Sequence, residues 1–334
     1  MCANAIEVKG LTKRFDKLVA VDKVSFDVRE GEIFGFLGPN GAGKTTTINM
    51  LTTIIRPTEG GATVSCCDIN KDPSGVRKTI GLVPQEYTAD EDLTGLDNIL
   101  LTAELYGVPK AEARERAKEL LELVQLSDAA QRDVDTYSGG MRRRLELACG
   151  LINRPKVLFL DEPTLGLDVQ TRTAVWQYIR LLKEKYKMTL FMTTHYLEEA
   201  DHLCDRIAII DRGKIVALDT PASLKAGLGG DVIEMRVEGG QCDALIETIK
   251  GIPTVREIKT VDGGCRLKVM NGEETAPQVL EVLRSRGMKV SKLSITSPTL
   301  DEVYLDLTGR TLREEESSED TVVKQRFTLR RARR

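Results

Sequence analysis

The residues best placed to do chemistry are Gly38-Pro39-Asn40-Gly41-Ala42-Gly43-Lys44-Thr45-Thr46. Three glycines let successive backbone N–H groups turn into one concavity, and a helix starting there adds partial positive charge facing the same hollow. Such a hollow accepts a triphosphate. Lys44 would reach the β and γ phosphates as a point charge, and the Thr45 hydroxyl would ligate the Mg²⁺ that accompanies them. The apolar run Ile33-Phe34-Gly35-Phe36-Leu37 before the loop reads as a buried strand, and Thr47-Ile48-Asn49-Met50-Leu51 after it as the first turns of a helix. Strand, loop and helix in that order are the setting a phosphate-binding loop requires.

Further along, Val157-Leu158-Phe159-Leu160-Asp161-Glu162 brings two carboxylates to the C-terminal end of a strand, the edge at which open α/β sheets bind ligands. Buried carboxylates there need a cation, and Mg²⁺ is the natural neutraliser. A second apolar strand, 189–194, brings His195 to the same edge; alone, a histidine in that place has many structural uses. A third, 80–86, ends on the amide of Gln85. Phe15, between charged neighbours, reads either as a half-buried sheet residue or as a stacking surface for a base. Tyr137-Ser138-Gly139-Gly140-Met141 opens a helix expected to carry Arg142, Arg143 and Arg144 on one side, with Leu145, Leu147 and Leu151 turned inward.

The elements that must position these residues imply two domains, for which 334 residues suffice. Residues 5–29 read as antiparallel β structure, and 62–67 resume a strand after the break at Arg56-Pro57. Leucine spacing over 96–126, interrupted by Gly107-Val108-Pro109, predicts an all-helical insertion in an α/β domain. Residues 206–218 form a hairpin, and Ala226-Gly227-Leu228-Gly229-Gly230 reads as a linker. The pattern then becomes strand, helix, strand, strand, helix, strand, with a turn at Asp262-Gly263-Gly264, which is the split βαβ or ferredoxin-like arrangement. A helix at 299–307 precedes a tail with an acidic block from Glu314 to Asp320 and a basic end, a composition that is usually solvated. The expected boundaries are 1–225, with the helical insertion at about 88–150, then 226–310 and 311–334.

Net charge is -3, giving no global bias towards nucleic acid or anionic membrane. The longest apolar runs fall far short of the roughly 20 residues of a membrane helix, and the charged start argues against a secretory signal. Seven cysteines form no C-x-x-C pair and only two histidines accompany them, so neither zinc nor a disulfide framework is expected, as befits a reducing cytosol. Cys66 and Cys67, as strand neighbours, would point to opposite faces.

The glycine loop, Gln85, Ser138-Gly139-Gly140, Asp161-Glu162, Leu165-Gly166-Leu167-Asp168 and His195 stand in the order and spacing of an ABC-type ATPase, so residues 5–220 resemble the nucleotide-binding domain of ABC transporters. The stretch from Tyr137 to Ala148, with Ser297-Pro298-Thr299-Leu300-Asp301-Glu302-Val303-Tyr304, looks like the daunorubicin/doxorubicin-resistance ATP-binding subfamily of exporters. Tyr137 and Met141 replace the Leu and Gln more usual in the signature, a departure this subgroup tolerates. The resemblance implies an α/β P-loop NTPase fold of ABC type, with an antiparallel subdomain, a helical insertion and a C-terminal α+β domain. It implies that Phe15 stacks on adenine, that Gly38, Pro39, Asn40, Gly41, Ala42, Gly43, Lys44, Thr45 and Thr46 hold the phosphates of ATP, and that Thr45 and Gln85 contact Mg²⁺, with Asp161 acting through water. Glu162 would polarise the attacking water and His195 would hold the γ-phosphate geometry. Ser138, Gly139 and Gly140 would face the nucleotide of a second copy, with Asp168 crossing the head-to-tail interface. A separately encoded permease is the implied partner, placing the protein on the cytoplasmic face of the membrane; nucleic acid is not expected. The competing readings are a soluble ABC ATPase of DNA repair or translation, which typically carries two cassettes, coiled coils or a zinc hook, and a non-hydrolytic nucleotide sensor.

Overall fold

The structure, a computed structural model, describes residues 4–237, 242–261 and 264–309. The chain divides between Leu218 and Asp219 into two units. In the first, β1 (Ile6–Phe15) and β2 (Leu18–Val28) pair antiparallel, β3 (Ile33–Leu37) runs into α1 (Lys44–Leu51), and β4 (Glu59–Val64) returns to the other side of β1 with the short β5 (Cys67–Asp68) folded onto it. There follow α2 (Pro73–Thr79), β6 (Ile80–Val83), α3 (Gly95–Leu105), α4 (Lys110–Leu123), α5 (Gly139–Leu151), β7 (Val157–Asp161), α6 (Val169–Tyr186), β8 (Thr189–Thr194), α7 (Leu197–Leu203), β9 (Arg206–Asp211) and β10 (Lys214–Asp219).

Two sheets result, in the orders β2-β1-β4-β5 and β10-β9-β3-β8-β7-β6. In the second, β3 pairs parallel with β8 and β9, and β7 with β6 and β8. Every residue of β3, β7 and β8 is buried, which is why their centres, such as Val157-Leu158-Phe159-Leu160 and Leu190-Phe191-Met192, read as apolar runs rather than alternating ones. Parallel pairing also aligns their C-terminal ends. Leu37 therefore feeds the glycine loop, Asp161 feeds Glu162, and β8, lying between β3 and β7, releases His195 between them. The two sheets are locked by phenylalanines: Phe26 of β2 stacks on Phe34 of β3 at 5.3 Å, and Phe191 of β8 contacts four rings at 5.5–5.9 Å. Helices α3, α4 and α5 enclose a separate core around Ile99, Ala117, Leu121 and Leu145, and the chain reverses between α3 and α4 at Gly107, with φ +72°.

Two local expectations need correction. The predicted strand over 62–67 is instead a hairpin, with Ser65 and Cys66 at φ +48° and +69° in a two-residue turn. Strand alternation therefore says nothing about Cys66, which is disulfide-bonded, whereas Cys67, Cys149, Cys204 and Cys265 are free thiols. The expected linker at 226–230 is also displaced. Thr220 caps a helix, α8 (Pro221–Gly227), whose first position is a proline, so the division falls before it rather than at 225.

In the second unit, α8 is followed by β11 (Asp231–Val237), α9 (Cys242–Ile249), β12 (Val255–Val261), β13 (Gly264–Val269), α10 (Gly272–Ser285), β14 (Val290–Thr296) and α11 (Leu300–Thr308). The sheet order is β12-β13-β11-β14, all pairs antiparallel, which is the split βαβ topology. Its core joins Ile233, Met235, Leu267 and Val269 to Val279 and Leu283 of α10. The turn residues Asp262 and Gly263 and the charged tail 311–334 lie outside the described residues.

Candidate active site

Gly43 is the pivot of the glycine loop. It sits at the N-cap of α1 with φ +107°, and a methyl added there would lie 2.5 Å from the Ala20 carbonyl of β2, so no other residue fits. No side chain caps this helix. Its first N–H groups and the positive end of its dipole are thus left for an anion. Lys44 is only 5% exposed, and its ammonium donates to the carbonyls of Gly38 (2.7 Å) and Pro39 (3.0 Å) and pairs with Glu162 Oε1 at 3.0 Å.

Glu162 is 4% exposed and held at every polar atom: Oε1 by Lys44, Oε2 by His195 Nδ1, and its N–H by Thr193 Oγ1 at 3.0 Å. Its φ of +50° is left-handed, an uncommon conformation for a residue with a Cβ that the flanking bonds must hold in place. Asp161 accepts from the Thr193 hydroxyl, and the Thr45 hydroxyl hydrogen-bonds to it as well.

The two adjacent carboxyls respond oppositely to the same burial. For Asp161 burial wins and pushes the pKa up, despite the Thr193 and Thr45 hydroxyls. For Glu162 burial also raises it, but the His195 hydrogen bond and the Lys44 charge together outweigh that and hold the carboxyl below its ordinary value. Lys44 pairs directly with Glu162 and acts on Asp161 only through its charge, too weakly to offset burial there.

The remaining sequence candidates occupy three further places. Gln85, two residues past β6, is exposed at the same sheet edge. Phe15, 46% exposed, ends β1 with the Lys13 ammonium 5.0 Å from its ring, in the hairpin whose Ala20 meets Gly43. Ser138 is exposed and caps α5, accepting from the Met141 N–H, and a methyl on Gly140 would strike the Thr171 side chain of α6 at 2.5 Å. Asp168 caps α6, and bonds from the Thr171 hydroxyl and N–H hold its carboxyl below the ordinary value. The Gly140–Thr171 approach, with Leu167 near Gly139, brings the start of α5, capped by Ser138, against the start of α6, capped by Asp168.

Two residues escaped the sequence reading. Glu199 of α7 is fully buried; it accepts from the Thr164 hydroxyl (2.8 Å) and from the Trp176 indole N–H (2.9 Å), so it ties the segment leaving Glu162 to the helix following His195. Burial pushes its pKa up. The other is Arg143. The three arginines of α5 do not share one side: Arg142 pairs with Glu91 and Arg144 reaches the Val124 carbonyl, but Arg143 is 2% exposed and turned inward. Only the run of charge was visible in the sequence, and its backbone acceptors leave no pattern there.

The parallel sheet with its glycine loop places the chain among P-loop NTPases. The helical insertion between β6 and β7, whose last helix opens on Ser138-Gly139-Gly140, narrows the class to ATP-binding cassettes. Residues 21–165 match the family model for ABC transporter, and residues 220–308 that for ATP-binding protein DrrA1-3-like, C-terminal domain. The daunorubicin/doxorubicin resistance ATP-binding protein DrrA of Streptomyces peucetius is 41% identical, over 92% of this chain and 93% of that protein. The linearmycin resistance ATP-binding protein LnrL of Bacillus subtilis is 35% identical over 92% of this chain and its own full length. A dimeric ATP-binding cassette solved in a post-hydrolysis state with ADP and Pi is 27% identical and superposes with a TM-score of 0.58 over 64% of this chain and 98% of its own. The chain belongs to the ABC transporter ATP-binding proteins, in the family of the daunorubicin/doxorubicin-resistance subunits.

Proposed function

We propose that this protein binds and hydrolyses ATP as one of two identical subunits that energise a separately encoded membrane permease, exporting a hydrophobic drug-like or lipid-like compound. The single observation that carries the catalytic part is Glu162 at the end of β7, its two oxygens held by Lys44 and His195 beside an uncapped helix N-terminus. In this reading the unit ending at Leu218 is the nucleotide-binding domain, and the following one is an accessory domain without clustered catalytic groups among its described residues.

Phosphoryl transfer needs positioning and charge stabilisation more than covalent chemistry. The α1 N-terminus and Lys44 hold the phosphates, Phe15 covers the base, and Glu162 takes a proton from the attacking water while His195 fixes its carboxylate. Among the described residues no three His, Cys, Asp or Glu converge as a metal cage, and Mg²⁺ suits so sparse a set because it is commonly held by one or two protein groups plus phosphate. Thr45 and Gln85 would hold it directly and Asp161, to which the Thr45 hydroxyl hydrogen-bonds, through water. Once bound, it would neutralise charge on the phosphate oxygens.

The head-to-tail pairing rests on the face shared by Ser138, Gly139 and Asp168. That face also exposes Leu165 (37%) and Val169 (76%), apolar side chains that a second copy would cover. No helix among the described residues is long and apolar enough to cross a membrane. Attachment to the cytoplasmic face therefore falls to the permease, for which Leu101, Leu105 and Tyr106 of the helical insertion offer an exposed apolar seat. Purified protein should release phosphate from Mg·ATP, and cells carrying it with its permease should expel an amphipathic dye faster than cells carrying an inactive subunit. Absence of ATP-dependent phosphate release, or equal efflux from both, would contradict the reading.

A further inference from the structure

Among the described residues Arg143 makes no ion pair with a carboxylate, although it is a buried charge, and its guanidinium is spent on backbone carbonyls. Nε donates to Pro163 O, Nη1 to Pro84 O and Nη2 to Glu162 O, each at 2.6 Å, with Asp161 O at 3.4 Å from Nη2. Leaving any of these buried acceptors unmet is costly, so the arrangement is tightly determined. One turn further along α5, Glu146 (2% exposed) does the complementary work: it accepts from the N–H of Thr88 (2.6 Å) and Ala89 (2.8 Å) and from the Thr88 hydroxyl (2.8 Å). The two side chains thus grip both ends of the loop 84–89, which contains Gln85, and Tyr87 in that loop donates to the Gly139 carbonyl.

We propose that Arg143, assisted by Glu146, is a positioning residue that fixes the peptide on which the catalytic base stands to the helix that begins with Ser138. The signature helix, the Gln85 loop and the backbone of Glu162 then move as one piece. A displacement of α5, whether by a nucleotide on a second copy or by a load on the helical insertion, is delivered to the left-handed peptide at Glu162. Chains of hydrogen-bonded, packed groups carry coupling of this kind, and one guanidinium supplies three such contacts. The inference rests on Glu162 being the base, and its test separates the two ideas.

Arg143→Met keeps the stem and removes every donor. In the full-length protein it should lower kcat by about 100-fold while leaving the Kd for ATP within about threefold, the pattern of a group that acts on turnover rather than on binding. Leu121→Ala, a cavity in the helical insertion core that touches none of these bonds, is the control for lost stability and should keep kcat within about threefold at an equal fall in Tm. In a Glu162→Gln background, Arg143→Met should add less than about threefold, because its target has already been removed. Turnover near wild type in Arg143→Met, a loss no greater than that of Leu121→Ala, or full additivity with Glu162→Gln would each overturn the proposal. If Arg143→Met does not fold, Arg143→Lys and Glu146→Gln are read instead: each should lose about tenfold in kcat with ATP affinity kept, and normal turnover in both would overturn it. A normal rate in Glu162→Gln alone would refute the base instead, leaving the comparison with Leu121→Ala to judge Arg143.

Discussion

Glu162→Gln should reduce ATP turnover by about 10²–10⁴-fold, the range for losing a general base, with ATP affinity retained. The amide keeps the shape of the side chain, and its one oxygen can still accept from Lys44 while its NH2 faces His195 Nδ1, but it takes no proton from water. Affinity should hold for a further reason. All three ammonium protons of Lys44 are committed to Gly38, Pro39 and Glu162, so reaching a phosphate requires exchanging at least one of these bonds. A neutral amide releases Lys44 more readily than a carboxylate does. The same exchange frees the wild-type carboxylate and raises its basicity as phosphate draws Lys44 away. The pH dependence follows from the sign of the shift: the folded pKa of Glu162 lies below its ordinary 4.5, so its ion pair contributes stability in full above that value. That contribution disappears as pH falls through the lowered pKa. The Tm of wild type relative to Glu162→Gln should therefore be level from about pH 6 to 8 and decline only in acid. Near-normal phosphate release by the variant would remove Glu162 from its role.

Lys44→Met should weaken ATP binding by about 100-fold, the scale of two charge-assisted hydrogen bonds at about 1.5 kcal/mol each. The loss is of affinity itself, measured by titration calorimetry, and so differs in kind from that of Glu162→Gln. A second effect accompanies it. Without the ammonium, the 4%-exposed Glu162 carboxylate keeps only His195, and stranding one member of a buried ion pair costs about 3–5 kcal/mol. The variant should therefore melt earlier above the carboxylate range and recover part of the difference as Glu162 protonates. Unchanged nucleotide affinity in a folded Lys44→Met protein would mean that the glycine loop is not the phosphate cradle.

What the sequence made legible, and what it did not, divides along physical lines. The strands 157–161 and 189–194 could be read because burial on both faces favours apolar runs such as Val157-Leu158-Phe159-Leu160 and Leu190-Phe191-Met192, and parallel pairing then aligns Glu162 and His195 at one edge. The glycine loop could be read because few residues tolerate its backbone. Arg143 could not: a charge run ordinarily marks a solvated face, and its acceptors are carbonyls from segments 20 and 59 residues away. The turn at Ser65-Cys66 hid because neither residue is the Gly or Asn that left-handed turns favour. The start of α8 was signalled by Thr220-Pro221, but the glycines after it drew the boundary too late.

The most direct test is to mix two inactive variants. Lys44→Met damages the phosphate pocket and leaves Ser138 intact; Ser138→Arg blocks the exposed corner and leaves the pocket intact. If each nucleotide lies between the Lys44 pocket of one copy and the Ser138-Gly139-Gly140 corner of the other, a mixed dimer regains one whole site. Random reassortment then restores about a quarter of wild-type phosphate release. A mixture no more active than its two components would contradict the shared site.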